Sequence, residues 1–226
     1  MDVKDSNDSS WFIPETTARE GRERNLEMYE GFLGFNREDL RDKTILDLGS
    51  GETERFSREL KDAGIKTTVI CLNPDYGLDN PNRFREIITG IPDWQHQSVA
   101  ATAQSLPFAA ESFDFIFANY SVTVFASPHL KSTLAKQWAS ELARVLKPGG
   151  EARLAPIYAE SYKDEYQDLD SIWKKAGLTV NIQDITIADL GLTDMYPDPN
   201  QSSGQSRLII KKPTQDNQSS TSSIQR

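Results

Sequence analysis

The stretch Thr44-Ile45-Leu46-Asp47-Leu48-Gly49-Ser50-Gly51 carries the pattern that decides the predicted fold. Its first five residues are β-branched or apolar except for Asp47, which is typical of a short buried strand. The glycines that follow allow positive φ angles and the close approach of a ligand to the backbone. A helix is predicted from about Glu54 to Ala63, with Gly64 at its C-terminal cap. The stretch therefore predicts a strand, a glycine turn and a helix, with a candidate ligand site at the turn.

The residues of this turn leave three interpretations open: a dinucleotide site, a nucleoside site, or a tight turn without a ligand. The dinucleotide fingerprint requires a third glycine three residues after the second. That position is Glu54, which places an acid where a pyrophosphate would have to sit. A nucleoside that carries a cationic sulfonium and an amino acid tail has no such charge conflict.

Outward from the turn, predicted strands and helices alternate along the chain. A helix is predicted from Pro14 to about Phe35, with apolar residues at helical spacing. Further strands are predicted at 67–72, 113–119, 151–157, 178–185 and 207–211, and further helices at 130–146 and 162–176. Such alternation favours an α/β fold with a mainly parallel sheet between two layers of helices. In such a sheet, the ligand crevice lies beyond the carboxyl ends of the strands.

Three blocks of sequence occur in the order and at the spacing of a known family's motifs. The first is Asp47-Leu48-Gly49-Ser50-Gly51. The second is Ala103-Gln104-Ser105-Leu106-Pro107-Phe108, followed by Glu111-Ser112-Phe113-Asp114-Phe115-Ile116. The third is Glu141-Leu142-Ala143-Arg144-Val145-Leu146-Lys147-Pro148-Gly149-Gly150. Together they resemble the class I S-adenosylmethionine-dependent methyltransferases, in particular the methyltransferase type 11-like domain.

The resemblance implies a fold, a cofactor and a set of binding residues. The fold is a Rossmann-like, doubly wound α/β sheet of seven strands, mainly parallel with the last strand antiparallel, and helices on both faces. The cofactor is S-adenosyl-L-methionine, whose methyl group family members transfer to an O, N, S or C nucleophile. The cofactor-binding residues that it implies are Asp47, Gly49, Ser50 and Gly51 around the methionine portion, Asn73 at the ribose, Gln104, Ser105 and Leu106 beside the adenine, and Asn119 at the end of the fourth strand.

Three positions depart from the family's pattern. Asn73 stands where an acid usually holds the ribose hydroxyls, Thr53 replaces a third glycine, and Thr102 stands where an acid often binds the adenine amino group. An amide or a hydroxyl lacks the extra strength of a charged acceptor. These departures keep a second interpretation open, a non-catalytic protein of the same fold with a binding or scaffold role. A nicotinamide-dependent oxidoreductase is a third, which Glu54 opposes.

The catalytic residues cannot be assigned from the sequence, since methyl transfer from a sulfonium requires no protein nucleophile. Tyr120 either positions the acceptor or caps the sheet, and His129 is either a general base or a helix cap. N-terminal aromatic side chains either form a lid over the acceptor pocket or pack against the core; they are Trp11, Phe12, Tyr29 and Phe32. With two histidines and one cysteine, no metal site is expected.

Composition limits the partners and the compartment. The 226 residues carry a formal charge of −9, which opposes binding to nucleic-acid phosphates and favours a small-molecule acceptor. Apolar runs are only as long as strands, so no membrane span is expected. The N-terminus lacks a basic start and an apolar run, and Cys71 is the only cysteine, so a cytoplasmic protein is expected.

The predicted organisation is one domain between two polar tails. Residues 1–10 and 214–226 have too few apolar side chains to offset chain entropy and are predicted to be disordered. The methyltransferase-like domain is predicted at 11–213. It comprises an N-terminal helical segment at 11–42, a cofactor-binding core at 43–157, and a C-terminal helix with closing strands at 158–213.

Overall fold

The computed structural model describes residues 24–51, 54–73, 98–121, 131–157, 171–192 and 198–214. The helices in this part are α1 (Leu26–Leu33), α2 (Arg55–Asp62) and α3 (Lys131–Val145), with a 3-10 helix at Arg37–Leu40 and helical residues at 171–175. The strands are β1 (Thr44–Leu48), β2 (Thr68–Leu72), β3 (Ser98–Val99), β4 (Phe113–Asn119), β5 (Leu146–Ile157), β6 (Thr179–Thr186) and β7 (Ser202–Lys211).

The strands form one seven-stranded sheet in the order β3-β2-β1-β4-β5-β7-β6. Strands β1 to β5 pair in parallel, whereas β7 is antiparallel to both β5 and β6. This confirms the predicted Rossmann-like fold with an antiparallel last strand. The strand order reverses between β1 and β4, and ligands bind at such switch points in open α/β sheets.

Apolar side chains cover both faces of the sheet, because successive residues of a strand point to opposite faces. Leu46 and Ile116 belong to one buried cluster, which also contains Leu142 of α3. Ile45 and Phe117 belong to the other, which includes side chains of α1 and α2. The prediction of helices on both faces is therefore confirmed.

The first helix begins later than the sequence pattern predicts. Asn25 is its N-cap, in extended conformation, and the side chain of Asn25 accepts a hydrogen bond from the backbone N–H of Met28 at 2.8 Å. The prediction of one helix from Pro14 to about Phe35 is therefore wrong at residue 25, where α1 begins. The Asn25 side chain caps α1 by accepting from one of the backbone N–H groups that have no partner within the first turn of a helix. Gly34 ends the helix with a φ of 67°. Residues 14–23 lie outside the described part.

The fifth strand begins earlier than predicted, at Leu146 instead of Glu151. Gly149 donates to the carbonyl of Lys212 at 2.8 Å, and Lys212 donates to the carbonyl of Gly150 at 2.9 Å. This pairing holds residues 147–150, which lie between the predicted helix and the predicted strand, within the sheet. The register between β4 and β5 shifts there.

Other strand boundaries also differ from the prediction. Strand β3, at Ser98–Val99, is not among the predicted strands, and β7 starts at Ser202 instead of Arg207. Of the helix predicted at 162–176, the described residues 171–175 are helical. The predicted tails lie outside the described residues except for Thr214.

Candidate functional site

The glycine turn lies at the carboxyl edge of the sheet, between the ends of β2 and β4. Gly49 and Gly51 have φ angles of 72° and 81°, a region that favours glycine. The backbone N–H of Gly49 donates to the carbonyl of Leu72 at 2.6 Å, which ties the turn to the end of β2. The left-handed turn predicted from the sequence is therefore present at the switch point.

Close packing against β4 is a second reason for glycine in this turn. A Cβ built on Gly49 would lie 2.4 Å from the Cβ of Ser121. The hydroxyl of Ser121 donates to the carbonyl of Leu48 at 2.5 Å. Any side chain at Gly49 would therefore push the ends of β1 and β4 apart.

Asp47 lies beneath this turn with no exposed surface. Its two carboxylate oxygens accept hydrogen bonds from the Tyr29 hydroxyl at 2.9 and 3.1 Å. Burial raises the pKa of Asp47 from its usual 3.8 to about 7, although Tyr29 and Arg24 lower it, and Glu54 raises it further. A pKa of about 7 means that the Asp47 carboxyl, at the base of the turn, changes between its protonated and ionised forms near neutral pH.

Arg24 and Tyr29 of the N-terminal segment contact the glycine turn and the aspartate beneath it, and neither is among the predicted cofactor-binding residues. Arg24 donates from Nη2 to the carbonyl of Gly49 at 2.5 Å, and Tyr29 bonds Asp47 from helix α1. Tyr29 and Phe32 are both buried, as the packing interpretation predicts, whereas Trp11 and Phe12 lie outside the described part. A tyrosine in an apolar stripe is the signal that was available, because a buried phenol requires a polar partner.

Asn119 ends β4 at the same edge and is fully buried. Neither its Oδ1 nor its Nδ2 has a hydrogen-bond partner among the described residues. It is paired with Ala155 across the sheet and shares a face with Phe117. Buried amides nearly always have partners in folded proteins. The amide of Asn119 therefore has both a donor and an acceptor that the described residues leave unsatisfied.

Tyr120 follows directly and adopts a φ of 52°, which is uncommon for a residue other than glycine. Its ring packs edge-on against Phe32 with centroids 5.0 Å apart. Its backbone N–H donates to the carbonyl of Ala155 at 2.7 Å. Both interpretations of Tyr120 remain predictions, and His129 lies outside the described residues.

The second and third sequence blocks contact each other through two side chains of α3. The Glu141 carboxylate accepts from the backbone N–H of Leu106 at 2.7 Å. Arg144 donates to the carbonyl of Leu106 at 2.8 Å and to that of Phe108 at 2.5 Å. The turn predicted to flank an adenine is therefore held in place by the helix that precedes β5.

The other predicted binding residues lie at the same edge with different exposure. Asn73 is buried at the end of β2, and its backbone N–H donates to the carbonyl of Val99 at 3.1 Å. Leu106 is buried, Gln104 is half-buried and Ser105 is exposed. Ser50 is buried within the glycine turn.

Two of the three positions that depart from the family's pattern, Asn73 and Thr102, lie in the described part of the chain. Thr102 is exposed and forms an isolated bridge with Ser105. Thr53 lies outside the described residues. Glu54 is buried next to the turn, with a φ of 52°, and accepts a hydrogen bond from the Ser98 hydroxyl. Two buried acids behind the turn, Asp47 and Glu54, oppose the binding of a pyrophosphate.

No group of three or more histidine, cysteine, aspartate or glutamate side chains in the described part of the chain could hold a metal ion. No helix among the described residues is long and apolar enough to cross a membrane.

A family model for the methyltransferase domain matches residues 46–154, from β1 to the middle of β5. It includes the glycine turn, Asn119 and the contact between the Leu106 turn and α3. Residues 46–154 form a class I methyltransferase domain. Members of this family bind S-adenosyl-L-methionine.

Two curated proteins are similar to this methyltransferase domain. The biotin biosynthesis bifunctional protein BioHC of Cellvibrio japonicus is 35% identical over 130 residues, which are 56% of this chain and 23% of that protein. The sterol 4-C-methyltransferase strm-1 of Caenorhabditis elegans is 28% identical over 138 residues, 59% of this chain and 38% of that protein. The chain therefore spans well under half the length of these relatives.

One solved structure has a similar fold. The PH0226 protein of Pyrococcus horikoshii superposes with a TM-score of 0.52 at 16% identity, covering 77% of this chain and 83% of that one. At this identity the similarity establishes the fold alone.

Proposed function

We propose that the protein binds S-adenosyl-L-methionine at the carboxyl edge of β1, β2 and β4 and transfers its methyl group to a small-molecule acceptor by in-line displacement. The observation that carries this proposal is the left-handed Gly49–Gly51 turn at the switch point of the sheet, with the unpaired, buried amide of Asn119 at the same edge. A nucleoside with an amino acid tail offers the donors and acceptors that this edge leaves unsatisfied.

The residues at this edge fit the cofactor in their chemistry. Asp47 and the glycine turn with Ser50 would hold the methionine portion, where a buried carboxylate favours a cation. Asn73 would bind the ribose, and the turn of Gln104, Ser105 and Leu106 would flank the adenine. Asn119 would supply one donor and one acceptor. When bound, the cofactor supplies a methyl group on a positively charged sulfur, which makes it a good electrophile.

The chain's contribution to the reaction is position and the exclusion of water. Holding an acceptor in line with the methyl group removes much of the entropic barrier, so no protein nucleophile is needed. Tyr120 would position the acceptor from the end of β4, next to Asn119. Its left-handed backbone directs the chain away from the strand at this point.

Charge and relatives support a small-molecule acceptor. The formal charge of −9 repels nucleic-acid phosphates. The two curated relatives are named for biotin biosynthesis and for sterol methylation. The single cysteine, Cys71, is a free buried thiol, which suits a reducing cytoplasm.

A non-catalytic member of the fold is the second candidate, and the observation that favours it is Asn73. This buried amide stands where the family usually has an acid, so the ribose loses a charge-assisted bond. Such a loss corresponds to roughly tenfold in affinity. The same buried edge could then serve another nucleoside or a partner.

Calorimetric titration of the protein with S-adenosylmethionine, S-adenosylhomocysteine and NAD distinguishes these functions. Micromolar binding of the first two, followed by methylated product in a screen of small acceptors, would support the methyltransferase. Binding without a product in any acceptor class would favour the non-catalytic protein. Absence of heat with both methionine-derived ligands at millimolar concentration would overturn the proposal, and tighter binding of NAD would reassign the site.

A further inference from the structure

Helix α1 is attached to the sheet near both of its ends. At its C-terminal end, Arg153 donates to the carbonyl of Leu33 at 2.9 Å and also contacts that of Gly34. Arg207 donates to the carbonyl of Gly31 at 3.4 Å and to Asp189 at 2.6 Å. Cationic side chains at a helix C-terminus also interact favourably with the negative end of the helix dipole. These contacts establish where α1 lies without involving the glycine turn.

Tyr29 occupies a position that this attachment determines. Its side chain is 1% exposed, and its ring stacks on Phe56 with centroids 4.2 Å apart and an angle of 8°. The ring therefore has little freedom to rotate. Its hydroxyl is held against both oxygens of Asp47, so α1 positions this carboxylate directly.

The groups that face Asp47 come from several elements. Tyr29 of α1 and Arg24 before it stabilise the ionised carboxylate, whereas Glu54 at the start of α2 opposes it. Cys71, its register partner on β2, is a buried thiol whose pKa is raised by burial, by Asp47 and by Glu54. Phe117, the partner on β4, is uncharged. Among these groups, Tyr29 and Arg24 are the two that stabilise the ionised Asp47 carboxylate beneath the turn.

We propose that Tyr29 is a positioning residue for cofactor binding, whose hydroxyl holds the Asp47 carboxylate beneath the glycine turn so that it favours the cationic methionine portion of the ligand. Helix α1 thereby becomes part of the cofactor site, outside the segment that the family model matches. Arg24 assists by holding the carbonyl of Gly49. The inference rests on the proposed function, because it requires that the ligand is S-adenosylmethionine.

The test is a double-mutant cycle of Tyr29→Phe and Asp47→Asn, read by calorimetric titration with S-adenosylmethionine between pH 5.5 and 7.5. Most of this range lies below the pKa of an α-amino group, which is about 7.7–8.0. In the wild-type protein, affinity should rise with pH as Asp47 ionises. Tyr29→Phe should weaken binding at pH 7 by roughly tenfold and move the midpoint of the profile to higher pH, since a bond to the ionised form is lost. In the Asp47→Asn background, Tyr29→Phe should change affinity by less than about twofold.

Asp189→Asn is the matched control, because it weakens the attachment of α1 at its other end and leaves Tyr29 and Asp47 in place. Its affinity and pH midpoint should match those of the wild type. Arg24→Gln is a second variant, should Tyr29→Phe fail to fold; it should also raise the midpoint.

Three outcomes would count against the inference. The inference would be overturned if Tyr29→Phe bound S-adenosylmethionine with the affinity and the pH midpoint of the wild type. It would also be overturned if Tyr29→Phe and Asp189→Asn weakened binding equally and the pH midpoint did not shift, since Tyr29 would then only hold the helix. A wild-type protein that binds no S-adenosylmethionine at any pH would overturn the proposed function itself, and this inference with it.

Discussion

At the residue scale, Asp47 and Asn119 are buried polar side chains that make the sheet less stable than apolar residues would. Asp47 has its carboxylate in a fully buried position, where the ionised form loses its hydration. Asn119 has two unpaired amide atoms, each of which costs about 1–3 kcal/mol. Both lie at the edge where a ligand is proposed, and functional sites commonly have such costs.

We expect Asp47→Asn to be more stable than the wild type at pH 8. The folded protein binds a proton at Asp47 more tightly than the unfolded chain does, because the pKa is raised from 3.8 to about 7. The free energy of unfolding therefore falls as pH rises from about 4 to 7, by as much as about 4 kcal/mol. The amide keeps an acceptor for Tyr29 but does not ionise.

Urea unfolding at pH 8 and pH 5 measures this effect. The advantage of Asp47→Asn should shrink by about 2 kcal/mol between the two values, because the wild-type carboxyl is protonated at the lower pH. Asp39→Asn, on the surface, should differ from the wild type by less than about 0.5 kcal/mol at both. An equal difference for Asp47→Asn at both pH values would contradict the raised pKa of Asp47.

Asn119→Leu should raise stability while it weakens ligand binding. Leucine has the same branched shape as asparagine and removes two unpaired polar atoms, so the free energy of unfolding should increase by about 1–3 kcal/mol. Affinity for S-adenosylhomocysteine should fall at least about tenfold, because a donor and an acceptor are lost. Thermal unfolding and calorimetry check the two effects.

Asn181→Leu provides the control, since Asn181 is an exposed residue on β6. It should leave affinity unchanged and stability within about 0.5 kcal/mol. Lower stability of Asn119→Leu would show that its amide has a structural partner.

At the element scale, α3 holds the Leu106 turn through two side chains of the third sequence block. Glu141 and Arg144 are three residues apart on α3 and form an ion pair at 2.7 Å. They bind the backbone on both sides of Leu106. The turn proposed to flank the adenine is therefore positioned by a helix on the opposite face from α1.

Arg144→Ala should weaken cofactor binding more than it weakens the fold. Its side chain is 36% exposed, so its loss should lower the free energy of unfolding by about 1 kcal/mol. The freed Leu106 turn should reduce affinity for S-adenosylhomocysteine about five- to tenfold, because the ligand must then order it.

Arg41→Ala is a matched control for that comparison. Arg41 also bonds a glutamate three residues away and a backbone carbonyl, that of Gly64, but lies far from the glycine turn in the sheet. It should lose a similar amount of stability and no affinity. Equal losses of affinity in the two variants would mean that the Leu106 turn is not part of the site.

At the scale of the whole molecule, the proposed binding residues come from the ends of β1, β2 and β4 and from the turn before β4. They form a site only in the folded sheet, so a ligand that binds there stabilises the native state. At a concentration one hundred times its dissociation constant, the gain is about 2.7 kcal/mol. For a protein of this size, that raises the melting temperature by about 5–10 °C.

A thermal-shift measurement with S-adenosylhomocysteine at this ratio checks the expectation, with NAD at the same concentration as the comparison. A shift of several degrees with the first and none with the second is expected. An equal shift with both ligands would remove the argument that buried acids exclude a pyrophosphate.

Local patterns in the sequence were sufficient to predict six of the seven strands of the described sheet, the presence of helices between them and the position of the glycine turn. Thr44 to Gly51 is a strand that ends in two left-handed glycines, as its residue types indicate. The prediction that Asn119 ends β4 is also confirmed. Such features depend on the periodicity of side chains and on the backbone freedom of glycine, both of which neighbouring residues determine.

Contacts between distant residues were decided by the tertiary structure alone. The bond from Tyr29 to Asp47 joins α1 to β1, and the pairing of Gly149 and Gly150 with Lys212 extends β5 through a predicted turn. The sequence by itself thus determined the fold class, the family resemblance and the ends of the strands where the site lies. Which side chains are buried there, with or without partners, depends on packing between segments far apart in the chain, and local patterns do not encode that packing.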